Sequence, residues 1–148
     1  MKKKLAAFLC GAMMATSAFA FASVAPDKIM LGSLSPGMAV SDLVEKCGQP
    51  NYKRGDNWVY DKFTAEIDEN RPGFVEKITT RNGAFSTPNG VSVGQSAEVL
   101  NSTFGKADDV DVERNSVEYE YFSTDHMKKI EFKVINGVIT KISCSVID

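Results

Sequence analysis

Histidine is nearly missing from this 148-residue chain, with His126 its only copy. A histidine-based metal site would therefore have carboxylates alone for company. His126 itself follows Ser123-Thr124-Asp125 ahead of a strand-like run and reads as a solvated turn residue. Cysteine is scarce, and its three copies are too few for a disulfide-built miniprotein. There is no G-x-S-x-G, no glycine-rich phosphate loop ahead of a helix, and no Cys beside a plausible base. Nucleophilic and nucleotide chemistry thus lack their usual groups, and no catalytic residue, metal or cofactor is predicted. Collagen and coiled-coil periodicities are also missing. What is present, 43% hydrophobic and 24% charged residues, is a globular composition.

The first 22 residues do not read as fold. Met1-Lys2-Lys3-Lys4 is a basic start, residues 5–15 are apolar and uncharged, and Ser17-Ala18-Phe19-Ala20-Phe21-Ala22 offers cleavage after Ala20 or Ala22. That is a secretory signal peptide of bacterial type. As a membrane anchor the stretch is barely long enough, and its Gly, Ser and Thr suit spanning poorly. Cys10 follows bulky Phe8-Leu9, where lipoprotein processing needs a small residue. The expected location is the periplasm or the exterior, with no stable anchor after cleavage. Cleavage after Ala22 leaves 126 residues, with 14 basic and 19 acidic side chains, a net charge of −5. Such a body argues against nucleic acid or anionic lipid as a partner.

An internal repeat organises the remainder. At a shift of 57 positions Gly37 meets Gly94, Leu43 meets Leu100, Cys47 meets Phe104 and Gly48 meets Gly105. Each copy continues with two aromatics one residue apart, Trp58/Tyr60 and then Tyr119/Tyr121, and closes on a turn and a β-rich run. This fixed order marks a duplicated unit. Within a unit, Ser96 suits an N-cap, Leu100 and Phe104 share a helix face, and Gly105 suits the residue just past the helix. In the first copy Ala39 takes the place of that serine. Helices of about ten residues need a sheet to pack on, so Leu43, Leu100 and Phe104 are expected to be buried. Strands are predicted at 57–60, 63–68 and 74–80, and at 117–122, 128–135 and 138–146. Asn136-Gly137 gives the strongest hairpin signal. The last strand places Val138, Thr140, Ile142, Cys144 and Val146 on one apolar face. The expected fold is α+β: two tandem units at 31–83 and 88–147, each a short helical segment on an antiparallel sheet.

The residues Leu34, Gly37, Met38, Leu43, Gly48 and Pro50, followed by an aromatic-x-Tyr strand and a hairpin, resemble the SmpA/OmlA/BamE family and its relatives with a β-lactamase-inhibitor-protein-like fold. Val91, Gly94, Leu100 and Gly105 carry the resemblance in the second copy. The lipoprotein signal of BamE is missing, and the tandem arrangement is similar to the secreted β-lactamase inhibitor protein, which grips a partner on a concave sheet. The resemblance implies a non-enzymatic module that binds a protein in the bacterial envelope. A structural envelope-assembly factor, or a hydrolase using Glu66, Asp68 and Glu69, are the alternatives.

The candidate binding residues are Trp58, Tyr60, Tyr119 and Tyr121. Residues two apart on a strand share a face. Each pair is therefore core if that face lies under the helices, and a binding surface if it lies on the open side of the sheet. Glu118 and Glu120 flank the second pair and put solvent opposite Tyr119 and Tyr121. Asp108, Asp109, Asp111 and Glu113 read as a charged connector rather than a Ca²⁺ loop, since the turn Gly and distal Glu are missing. Arg54-Gly55-Asp56 reads as hairpin punctuation. Cys47 and Cys144 are both expected in the interior. An oxidising compartment favours a bond between them, whereas placement in different copies argues for two unpaired thiols.

Overall fold

The computed structural model describes residues 24–148, and the signal peptide read at 1–22 lies outside them. After a 3-10 turn at Pro26–Lys28 come α1 (Val40–Cys47), β1 (Tyr52–Arg54), β2 (Asn57–Val59), β3 (Thr64–Ile67) and β4 (Val75–Thr80). The second half holds α2 (Glu98–Phe104), β5 (Asp109–Val112), β6 (Val117–Phe122), β7 (Lys128–Ile135) and β8 (Val138–Val146). All eight strands form one antiparallel sheet in the order β1-β2-β3-β4-β8-β7-β6-β5.

This corrects the expected α+β fold of two tandem units. Among the described residues the protein is mainly β, and the two α-helices are short attachments to a single sheet. The closing strands of the two copies, β4 and β8, pair with each other through Ile78↔Cys144 and Thr79↔Ser143. Left apart, each would be a long edge with unpaired backbone groups; paired, they satisfy one another and fuse the halves. The helices have eight and seven residues, about two turns each.

The repeat is still legible within that sheet. Gly37 N–H donates to the Val75 carbonyl at 2.7 Å, and Gly94 N–H to that of Ile139 at 2.8 Å. Val40 N–H reaches the Gly73 carbonyl at 2.8 Å, and Ala97 N–H that of Gly137 at 2.9 Å. Each helix start is thus hooked to the turn before the closing strand of its own half. Each helix also ends on a glycine of positive φ, +74° at Gly48 and +79° at Gly105, a backbone region open to residues without a Cβ. The carbonyl of that glycine is tied down the same way twice. Tyr60 Oη donates to the Gly48 carbonyl at 3.0 Å, and Tyr121 Oη to the Gly105 carbonyl at 3.1 Å.

One sheet face carries the helices and the core. Leu43, Leu100 and Phe104 are buried there as expected, together with Ile78, Ile130, Phe132, Ile142 and Cys144. Phe104 packs its ring 5.2 Å from both Tyr121 and Phe132. Cys47, the repeat equivalent of Phe104, is instead exposed. In the first half the aromatic filling comes from Phe63, stacked between Tyr60 at 4.5 Å and Phe85 at 5.2 Å. The helix end is not needed to close that part of the core.

The last strand also departs from strict alternation. Register slips between Lys133↔Lys141 and Val134↔Ile139, leaving Thr140 as the extra residue, its hydroxyl donating to the Lys133 carbonyl at 3.2 Å. Beyond this bulge the phase inverts. Ile139 enters the core, and Val138, expected inside, is 40% exposed.

Candidate functional site

The aromatic pairs sit on the helix-covered face. A single cross-sheet row runs Trp58–Ala65–Ile78–Cys144–Ile130–Tyr121, so the first and last aromatics end the same buried line. Tyr121 is 1% exposed, and burial, with the charges of Tyr119 and Asp108 adding to it, pushes its phenol up to about 12. Trp58, Tyr60 and Tyr119 are half-buried against the same core. Lys53 Nζ lies 3.8 Å from the centre of the Trp58 ring, a cation–π lid on that side chain. The four therefore do not assemble on the open side of the sheet.

The open face is ionic instead. Lys129 Nζ lies 3.1 Å from Glu120 and 3.4 Å from Glu131, with Lys77 3.9 Å from Glu131 on the other side. Lys133 meets Glu113 at 3.6 Å, and Lys141 meets Glu118 at 3.9 Å. Burial acts to raise both central carboxyls. For Glu131 the cations Lys129 and Lys77 outweigh it and the pKa falls; for Glu120 burial prevails, helped by Glu131, and the pKa rises.

The margin beyond this grid is built differently. The residues read as an acidic connector form β5, whose alternation Asp109-Val110-Asp111-Val112 is a two-residue period hidden by the acid count. Asp109 and Asp111 stand on the open face opposite Glu120 and Glu118, like charges directly across a strand pair. Lys129 and Lys141 compensate the two glutamates; no cation lies within ion-pair distance of Asp109 or Asp111 among the described residues. Val110 and Val112 turn to the helix side but stay 46% and 72% exposed. Beside them an apolar cavity of about 250 Å³ opens between α2 and the sheet, lined by Ala97, Leu100, Ala107, Val110 and Tyr119, with Lys106 at the same cavity.

The other sequence candidates have structural posts. Asp68 is buried and holds the turn before β4: its oxygens accept the N–H groups of Asn70 and Arg71 and the Arg71 side chain at 2.9–3.0 Å. Burial alone would raise its pKa, but these donors outweigh it and the carboxyl sits low. Glu66 lies on the open face of β3, and Glu69 is exposed in the adjoining turn. His126 occupies the β6–β7 turn at φ +57°. Asp108 accepts the Phe122 N–H at 2.7 Å, and Gly55 turns the β1–β2 hairpin. No group of three or more His, Cys, Asp or Glu placed to hold a metal occurs among the described residues. Cys47 and Cys144 are free thiols, the first exposed and the second buried, so the expectation that both face inward is corrected for Cys47. No helix among the described residues is long and apolar enough to cross a membrane.

No family model matches the chain, and no curated protein sequence does. Two solved structures share the fold. A DUF4309-family protein of Bacillus subtilis, YjgB, superposes with TM-score 0.56 at 12% identity, over 77% of this chain and 82% of that one. An extracellular protein of Bacillus anthracis containing an SCP domain superposes with TM-score 0.54 at 10% identity, over 74% of this chain and 43% of that one. At such identities the likeness is one of fold.

Proposed function

We propose that this chain is a secreted, non-enzymatic protein-binding module of the bacterial cell envelope, and that it binds through the β5 margin. The observation that carries the reading is the pair of exposed valines, Val110 and Val112, beside an unfilled apolar cavity at the end of the sheet. The two valines and this cavity lie together at an open strand edge, so this margin is where a partner can bury apolar area and pair with backbone at once. The leader sequence, the resemblance to the SmpA/OmlA/BamE family and the extracellular protein that shares the fold support the envelope location. The test is a photo-crosslinking residue at position 112 in the native envelope, with one at exposed position Glu45 on α1 as control. One saturable protein adduct from position 112 and none from 45 is the expected outcome. Labelling that is equal at both positions, or none at 112, overturns the proposal.

A further inference from the structure

The outer side of β5 offers more than apolar area. Glu113 N–H donates to the Ser116 carbonyl at 2.9 Å, which makes 113/116 a hydrogen-bonded pair of the β5–β6 ladder. Such pairs alternate along antiparallel strands. Asp111/Glu118 and Asp109/Glu120 therefore bond inward, while the backbone groups of Val110 and Val112 point away from β6, out of the sheet. The Val110 N–H is met there only by the neighbouring Asp109 Oδ1, at 2.9 Å. A strand laid against β5 would exchange that local contact for a ladder bond and free the carboxylate for a cation.

Side-chain chemistry selects the strand. Toward the helix side the incoming residues meet Val110, Val112 and the apolar cavity, where Lys106 repels a cation. Toward the open side they meet Asp109 and Asp111, uncompensated and facing two glutamates. That like-charge arrangement costs stability in the free protein, and alternate cations on a ninth strand would relieve it. The opposite edge is of the other sign. On β1, Lys53 covers Trp58, and Arg54 lies 5.9 Å from the centre of the Tyr52 ring, cations that blunt an edge against pairing.

We infer that β5 takes up an extended segment of a partner protein in which apolar and basic residues alternate, adding it to the sheet as a ninth strand. The inference rests on the β5 margin being the binding site, and it names the class of partner.

The experiment uses the mature chain and fluorescent capped peptides: alternating Val and Lys, the same composition with the alternation shuffled, alternating Val and Glu, and alternating Val and Lys with alternate amides N-methylated. Anisotropy is expected to rank alternating Val–Lys at least about five-fold tighter than the shuffled peptide, with the methylated and acidic peptides not binding. Asp109→Lys with Asp111→Lys should reverse the preference toward Val–Glu. If that variant does not fold, Asp109→Asn with Asp111→Asn should abolish the preference between the two charges. Equal binding of shuffled and alternating peptides would reduce the effect to attraction by an acidic body and overturn the inference. So would no binding at all, the result if the edge carboxylates serve only to prevent pairing. Self-association of the free chain that the same substitutions abolish would also overturn it, by assigning the edge to a second copy. An adduct at position 112 without peptide selectivity leaves the protein-binding proposal standing and removes this one; peptide selectivity without an envelope adduct does the reverse.

Discussion

Phe104→Ala removes a ring that is 7% exposed and lies 5.2 Å from both Tyr121 and Phe132 at the end of α2. Truncating a buried Phe costs about 3–5 kcal/mol through lost transfer energy and the cavity left behind. Two aromatic contacts, each worth roughly 0.5–1.5 kcal/mol beyond area, push the value up. The terminal helical turn can relax into part of the space and pulls it down, so about 3–4 kcal/mol is expected. For a domain of this size the loss lowers Tm by roughly 10–15 °C. Cys47→Ala, at the repeat-equivalent position, touches an exposed side chain and should cost at most about 0.5 kcal/mol. Urea unfolding followed by the fluorescence of Trp58, the single tryptophan, measures both, with m unchanged if the denatured state is the same. A loss below about 1 kcal/mol for Phe104→Ala, or equal losses at both positions, would refute the reasoning that the second half alone uses its helix end as core.

Tyr121→Phe leaves the Gly105 carbonyl without its donor in a buried setting and should cost about 1 kcal/mol, whereas Tyr60→Phe, at a more exposed bond, should cost less than about half of that in the same assay. Because the folded ionisation of Tyr121 is pushed up to about 12 from an ordinary 10.0, its contribution is whole below pH 10 and lost as pH rises toward 12. Absorbance titration should show a tyrosinate that appears last, toward pH 12, and Tyr121→Phe should remove it; a titration that this substitution leaves unchanged contradicts the burial. In the chain without its first 22 residues, native alkylation should modify one thiol, Cys47, and unfolding should release Cys144, whose ionisation burial pushes far up. A two-alkyl mass shift that appears only after reduction would instead establish a disulfide.

Local chemistry made much of the fold readable. Positive-φ glycines at helix ends, the Asn136-Gly137 turn and the period-two runs of β6, β7 and the part of β8 beyond Thr140 are properties of a few adjacent residues. The edge strands β1 and β5 escaped because they are short, charged and exposed, so neither hydrophobic run nor burial pattern marks them. In β5 the signal existed, two valines alternating with two aspartates, but an acid count conceals a period.

By itself, then, the sequence determined the helix-end glycines and the burial of Leu43, Leu100 and Phe104, since each follows from spacing along one segment. It left open which sheet face the aromatics occupy, because Trp58/Tyr60 and Tyr119/Tyr121 satisfy strand periodicity on either side. The tertiary structure decided that through the row from Trp58 to Tyr121 across Ile78 and Cys144, which exists only once β4 and β8 pair. The same pairing made one mainly-β sheet of two copies. Cys47 came out and Phe63 went in because two halves with one pattern fill their cores with different rings. Strand partners are chosen by backbone groups every residue carries, so no residue type announces them; the open edge at β5 is what that choice leaves over.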